Sequence, residues 1–163
     1  DGAPVKGLPG RIVEPGHQFE WAFLLLRARP GDDEIRKTAR RLFEIAERHG
    51  VDPMRRVAID SLLDDFSPHA KQARLWPQTE RLRAAIALAA LAEGDARAAC
   101  ERTALAAAEG LTAYLRVKVP GLWRDRMRAD GTFVNEPAPA SSLYHIAGAV
   151  LELRNYVRNS HLS

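Results

Sequence analysis

Three segments of the chain combine histidine with acidic or aromatic residues where a loop is expected to lead into a helix. They read EPGHQFEW over residues 14–21, LWPQTE over 75–80 and ASSLYH over 140–145. A helix N-terminus carries partial positive charge, which disfavours an imidazolium ion. It therefore favours the neutral form of His17 and His145, the form that accepts a proton. The segments are candidates for acid–base chemistry.

Acidic and aromatic side chains accompany the two histidines. Glu20 follows His17 by three residues and shares its helix face, where it would orient the imidazole or hold a substrate hydroxyl. Trp76 offers a flat apolar surface suited to the C–H face of a sugar ring, and Glu80 would accept hydrogen bonds from hydroxyl groups. The set favours a site for a polyhydroxylated small molecule.

Structural interpretations stand beside these functional ones. A glutamate in the first turn of a helix also complements the helix dipole, and a tryptophan before proline also fills space between helices. Trp21 is expected in the core, and so is Cys100, which lies in an alanine-rich stretch without a basic neighbour. The remaining histidines are predicted to lie on the surface: His49, His69 and His161.

Helices must position these residues. Apolar spacing predicts five of them, over about residues 17–29, 33–49, 77–93, 95–114 and 143–158. Boundary residues are predicted to cap or end them: Asp32 or Asp33 and Gly50 for the second, Pro77 for the third, Gly94 and Asp95 between the third and fourth, and Ser141 or Ser142 for the fifth.

Two connections are longer than ordinary loops. Residues 57–63 are compatible with a short helix or a strand, and the turn-like residues 64–68 favour a β-hairpin. A second hairpin is predicted at Asp130-Gly131. If the first hairpin forms, the first, third and fifth helices run in one direction. Their N-termini then meet, and His17, Trp76, Glu80 and His145 should surround one cavity.

Composition excludes several classes of protein. The 163 residues are 46% hydrophobic and 28% charged, which fits one domain over residues 1–163. No apolar run is long enough for a membrane span, and the net charge of +3 is spread among mixed signs, so neither membrane nor nucleic acid is an expected partner. A single cysteine favours a reducing, cytoplasmic location. Phosphate-loop and metal-ligand motifs are absent, so no cofactor and no catalytic metal is expected.

The segments EPGHQFEWAFLL (14–25), RLWPQTERLRA (74–84) and ASSLYHIAGAVLEL (140–153) resemble the N-acylglucosamine 2-epimerase family. The resemblance implies an all-α fold, the (α/α)6 barrel, of which this chain would supply the C-terminal half with β-hairpin loops. It implies that His17 and His145 are catalytic. Glu20, Trp76 and Glu80 would contact the sugar, and Arg11 is a further candidate for substrate binding.

The chemistry implied is proton transfer on a ring-opened sugar through a cis-enediol. The motifs favour aldose–ketose isomerisation of mannose or mannose 6-phosphate, and 2-epimerisation of an N-acylglucosamine or of cellobiose is the nearest alternative. A glycoside hydrolase using Glu20 and Glu80 is a second alternative. A non-catalytic helical module that self-associates through exposed apolar faces is a third.

Overall fold

Helices dominate the computed structural model, which describes residues 5–160. The predicted all-α class is confirmed within that range; His161, predicted at the surface, lies outside it. The described chain has a 3₁₀ helix over Leu8–Arg11 and five α-helices: α1 (Pro15–Ala28), α2 (Asp33–Gly50), α3 (Leu75–Leu91), α4 (Gly94–Leu115) and α5 (Ser142–Ser160).

The start of α2 follows the sequence prediction, and its end does not. The Asp32 carboxylate accepts hydrogen bonds from the backbone N–H groups of Glu34 and Ile35, each at 3.1 Å, which confirms the cap. Gly50 was expected just past the helix, but it is the last residue of α2. A Cβ at this position would lie 2.6 Å from Cβ of Pro15. Glycine is therefore needed here for close packing against the start of α1.

Three other predicted helix starts are shifted. Helix α1 begins at Pro15, two residues before the predicted His17. Helix α3 begins at Leu75, two residues before Pro77, because the Leu75 N–H is already bonded to the Asp125 carbonyl at 2.8 Å. Helix α4 begins at Gly94, so Asp95 lies inside its first turn and does not cap it. Helix α5 begins at Ser142, next to the predicted cap at Ser141 or Ser142, and the Ser142 hydroxyl donates to the Asp125 carboxylate at 3.1 Å.

The helices form two layers. Helix α3 packs against α1 on one side and α5 on the other, while α2 packs on α1 and α4 packs on α3. Pro30, Leu91 and Asn159, at or just beyond the C-terminal ends of α1, α3 and α5, line one cavity. These three helices therefore run in the same direction, as the hairpin prediction required.

The core lies between the layers. Phe19 of α1 and Phe43 of α2 make an edge contact with ring centroids 5.5 Å apart. Tyr114 is fully buried at the end of α4, and its hydroxyl donates to the Ala73 carbonyl at 3.0 Å. The prediction that Trp21 lies in the core is wrong, because Trp21 is 58% exposed. Two residues after Phe19, it points to the opposite side of the helix.

Short antiparallel strands fill the long connections. Three pair in the order β1 (Ile12–Val13), β4 (Ser61–Leu63) and β5 (Pro68–Ala70), which confirms the first hairpin. Two further pairs join β2 (Val51–Asp52) to β3 (Val57–Ala58), and β6 (Ala73–Arg74) to β7 (Arg126–Met127).

The second predicted turn is also present. Gly131 adopts φ +85°, which glycine reaches without strain, and its N–H bonds to the Arg128 carbonyl at 3.0 Å. Backbone hydrogen bonds on both sides of the turn, from Arg128 to Thr132 and from Val134 to Arg126, complete the hairpin predicted at Asp130-Gly131. None of the helices between residues 5 and 160 is long and apolar enough to cross a membrane.

Candidate active site

The N-terminal ends of α1, α3 and α5 bring three rings together. Trp76 contacts both histidines, with its ring centroid 5.1 Å from that of His17 and 5.7 Å from that of His145. The ring centroid of Tyr144 lies 3.9 Å from that of His145. The structure thus brings together residues that are 59 and 69 positions apart in the sequence (17 to 76, and 76 to 145).

His145 is held by a buried carboxylate. Its Nδ1 lies 2.7 Å from Oε1 of Glu80, which is fully buried and is placed one turn into α3. An ionised carboxylate only accepts hydrogen bonds, so a neutral imidazole that faces one carries its proton on Nδ1. The lone pair is then on Nε2, and this nitrogen can accept a proton.

Arg83 neutralises that carboxylate. Its terminal nitrogen donates to both oxygens of Glu80, at 2.8 and 3.0 Å. The guanidinium carbon lies 4.0 Å over the centre of the Phe23 ring, a distance at which a cation is attracted to the aromatic face. Helices α1 and α3 together therefore fix the charge that faces His145.

His17 is arranged similarly but in a more open place. Its Nδ1 lies 3.3 Å from Oε2 of Glu14, and the same oxygen lies 3.5 Å from a terminal nitrogen of Arg74. Arg74 also binds Asp60 at 3.1 Å. The His17 side chain is 57% exposed, against 11% for His145. Glu14, Asp60 and Arg74 also line a cavity of about 330 Å³.

A glycine allows the tryptophan to lie against α1. A Cβ at Gly16 would be 2.5 Å from the outer edge of the Trp76 ring and 3.0 Å from Pro77. The contact between the starts of α1 and α3 therefore depends on this residue.

Two predicted site residues are placed differently. Arg11 is not brought to the ring cluster; its guanidinium donates to Asp64 at 2.8 Å and to Asp65 at 3.0 Å, in the turn of the β4–β5 hairpin. Those two carboxylates raise the pKa of Arg11. Glu20 lies half-buried on α1, one turn after His17. Its predicted contact with substrate stays a prediction.

Sequence reasoning missed two residues that touch the site. Glu14 precedes His17 by three positions, and Arg83 follows Glu80 by three positions. That spacing places both members of each pair on one helix face, so it was the available signal. Within residues 5–160, no group of three or more His, Cys, Asp or Glu side chains is placed to hold a metal ion.

The fold and this cluster define a class of helical protein in which parallel helices, here α1, α3 and α5, carry histidines at one end. A family model described as N-acylglucosamine 2-epimerase (GlcNAc 2-epimerase) matches residues 2–149. The chain therefore belongs to that family, and the resemblance drawn from its three motifs is confirmed.

A relative of known name shares more than half of its aligned residues with this chain. The chain is 54% identical over 160 residues to a mannose-6-phosphate isomerase from Rhizobium meliloti (strain 1021). The match covers 97% of this chain and 41% of that protein, so the chain spans well under half the length of this relative.

Solved structures show the same fold. A D-mannose isomerase superposes with a TM-score of 0.77 at 23% identity, over 88% of this chain and 37% of that one. A cellobiose 2-epimerase from Spirochaeta thermophila DSM 6192 gives 0.74 at 16% identity, over 91% and 39%. The described helices are part of an (α/α)6 barrel, as expected from the sequence.

Proposed function

We propose that residues 1–163 are the C-terminal part of a single (α/α)6-barrel domain that isomerises or epimerises a sugar. The observation that carries the proposal is the cluster of rings in which Trp76 contacts both His17 and His145, with the Nδ1 of His145 bonded to a buried carboxylate. Family membership supports the same chemistry.

In the proposed mechanism, Nε2 of His145 removes the proton from C2 of the ring-opened sugar. The carbonyl oxygen gains a proton as the C2 electron pair moves toward C1, which gives a cis-enediol. Proton return to C1 with loss of the O2 hydroxyl proton gives the ketose, and return to the opposite face of C2 with loss of the O1 proton gives the epimer. We assign the opposite face, or the oxygen atoms, to His17, which contacts the same Trp76 ring as His145. Histidine suits both steps because it exchanges protons near neutral pH.

The roles of the acidic residues follow from burial. Glu80 was predicted to bind sugar hydroxyls, but its carboxylate is fully buried and engaged by His145 and Arg83. We assign it instead to holding His145. Trp76 would support the apolar face of the sugar, and Glu20 stays the candidate for a hydroxyl contact. The same engagement of Glu80 removes support from the glycoside hydrolase alternative, which needs two carboxylates free to reach the glycosidic bond.

Mannose or mannose 6-phosphate is the substrate we favour, because the relative of 54% identity is named a mannose-6-phosphate isomerase. We expect aldose–ketose isomerisation to the fructose form, without a cofactor or a metal. Isomerisation in D2O places deuterium at C1 of the ketose, whereas epimerisation places it at C2 of the aldose, so NMR of the products distinguishes the two reactions. We place the protein in the cytoplasm, a location that the buried free thiol of Cys100 suits.

The decisive test replaces His145 by alanine in the full-length protein. Loss of a general acid–base residue should reduce kcat for C2 proton exchange by about 10²-fold or more. Binding of mannose should weaken much less, because Trp76 is retained. His49→Ala is the matched control, since this histidine stacks on Phe66 and lies outside the ring cluster. Normal exchange in a folded His145→Ala protein would show that His145 is structural and would overturn the mechanism.

A further inference from the structure

The two histidines share one pattern of connection. In each case a carboxylate oxygen lies beside Nδ1, and an arginine lies on the same carboxylate. The two sets are His145–Glu80–Arg83 and His17–Glu14–Arg74.

Burial separates the two sets. The Glu80 side chain has no exposed surface and that of Arg83 is 19% exposed, whereas the Glu14 and Arg74 side chains are 32% and 33% exposed. Water can stabilise an ionised Glu14 without help. Glu80 has no such access, and burial favours the uncharged form of a carboxyl group unless a cation faces it. Within the described part of the chain, Arg83 is the cation bonded to Glu80.

We propose that Arg83 is a positioning residue that sets the tautomer of His145. It keeps Glu80 ionised, so that Glu80 accepts the Nδ1 proton and Nε2 keeps its lone pair. The catalytic meaning of this tautomer rests on the proposed function, but the tautomer itself does not.

Without Arg83, the distribution of protons between Glu80 and His145 changes. A protonated Glu80 would donate to Nδ1, so the ring proton would move to Nε2. The Glu80–His145 pair would then hold two protons in place of one. The additional proton comes from solvent and replaces the positive charge that Arg83 supplied. Nε2 would then be a donor, and His145 could not remove a proton from a substrate carbon.

The test measures the tautomer by 15N NMR of the histidine rings, at a pH where the imidazole is neutral. His145 is assigned by the signal lost in His145→Ala. We expect Nδ1–H in the unmodified protein and in Arg83→Lys, which keeps a positive charge. In Arg83→Met, which keeps an unbranched apolar side chain over Phe23, the ratio of Nε2–H to Nδ1–H should rise about tenfold or more, the scale on which a close charge alters proton affinity.

Two variants serve as controls. Arg97→Met removes a guanidinium that pairs with Glu101 on α4 and should leave the His145 tautomer unchanged. Arg74→Met should change the His17 tautomer less than Arg83→Met changes that of His145, because Glu14 reaches water. Circular dichroism confirms that each variant folds.

An unchanged Nδ1–H tautomer, or a permanently cationic ring, in folded Arg83→Met would overturn the proposal. This readout needs no turnover, so it is independent of the sugar chemistry. A protein that shows the expected tautomers and fails to exchange the C2 proton would contradict the proposed function and leave the role of Arg83 intact.

Discussion

At the scale of single residues, the site depends on how closely side chains approach the Trp76 ring. The ring contacts both His17 and His145, and its edge lies where the Cβ of any residue other than glycine at position 16 would be. Small changes in side-chain volume at this point should therefore affect the chemistry more than the fold.

Gly16→Ala tests this dependence. The new Cβ would lie 2.5 Å from the ring, so Trp76 must move. Overpacking of this kind costs about 1–3 kcal/mol of unfolding free energy. We also expect a changed tryptophan emission spectrum and a KM for sugar that is raised about tenfold in the full-length protein. Gly31→Ala is the control, because no atom lies within 4 Å of its added Cβ. Equal behaviour of the two variants would contradict this account.

Cys100 gives a second prediction at this scale. Burial raises the pKa of its thiol, and the residue is 8% exposed. Because the thiolate is the reactive form, the folded protein should react with a disulfide reagent at least about tenfold more slowly than a free thiol. The same reaction in urea is the control and should be fast. Rapid labelling of the folded chain would show that α4 opens readily.

At the scale of elements, the ends of the helices decide where the site residues lie. Helix α2 begins at a capping aspartate, whereas α3 follows directly from strand β6, whose residue Arg74 has no side-chain capping bond. The position of Trp76 therefore depends on strand pairing, and the position of α2 depends on its own cap.

Asp32→Ala should cost about 1 kcal/mol of unfolding free energy, because two backbone N–H groups lose their acceptor. Asp32→Asn should recover most of this loss, since its amide oxygen also accepts. Urea unfolding monitored by circular dichroism measures both. A loss in the asparagine variant as large as in alanine would show that the charge, and not the hydrogen bonds, stabilises the start of α2.

The number and order of the α-helices could be predicted from the sequence, and some of their boundaries could not. The cap at Asp32 uses only neighbouring residues, so spacing and residue type were sufficient to predict it. The start of α3 was placed at Pro77 because proline favours a first helical turn. In the folded chain the Leu75 N–H finds its acceptor in Asp125, fifty residues away, and no local pattern reports that bond.

The same distinction applies to the site. The parallel course of α1, α3 and α5 was enough to predict that His17, Trp76 and His145 meet. The connection of Glu80 to His145 was missed because it depends on which residues of α3 face α5. Trp21 was misplaced because a hydrophobic residue on a helix does not by itself report which side another helix covers.

At the scale of the whole molecule, apolar residues remain exposed on α1 and α5, the two helices that flank α3. Helix α5 exposes Leu143, Val150 and Val157 at intervals of seven residues, which places them on one face. Helix α1 exposes Trp21 and Leu24. A chain of this length alone would present both surfaces to water.

We therefore predict that the 163-residue chain self-associates, and that Val150→Glu with Val157→Glu reduces the association. Buried charge opposes contact between apolar faces, so the apparent mass in light scattering should fall toward that of one chain. Leu105→Glu on α4 is the control and should change little, although Leu105 is 62% exposed against 51% for Val150 and 43% for Val157. A chain that is already monomeric at high concentration would contradict the prediction.

The common direction of α1, α3 and α5 also divides the molecule into an end that carries the histidine cluster and an end that is free to vary. The α1–α2 loop at Pro30-Gly31 and the α3–α4 turn at Ala92-Glu93 lie at the end opposite the histidines, and Gly31 has open space around it. Inserted sequence, a fluorescent label or a protease cleavage site should be accepted at Gly31 without loss of the ring cluster. The loops before α1, α3 and α5 have no such freedom.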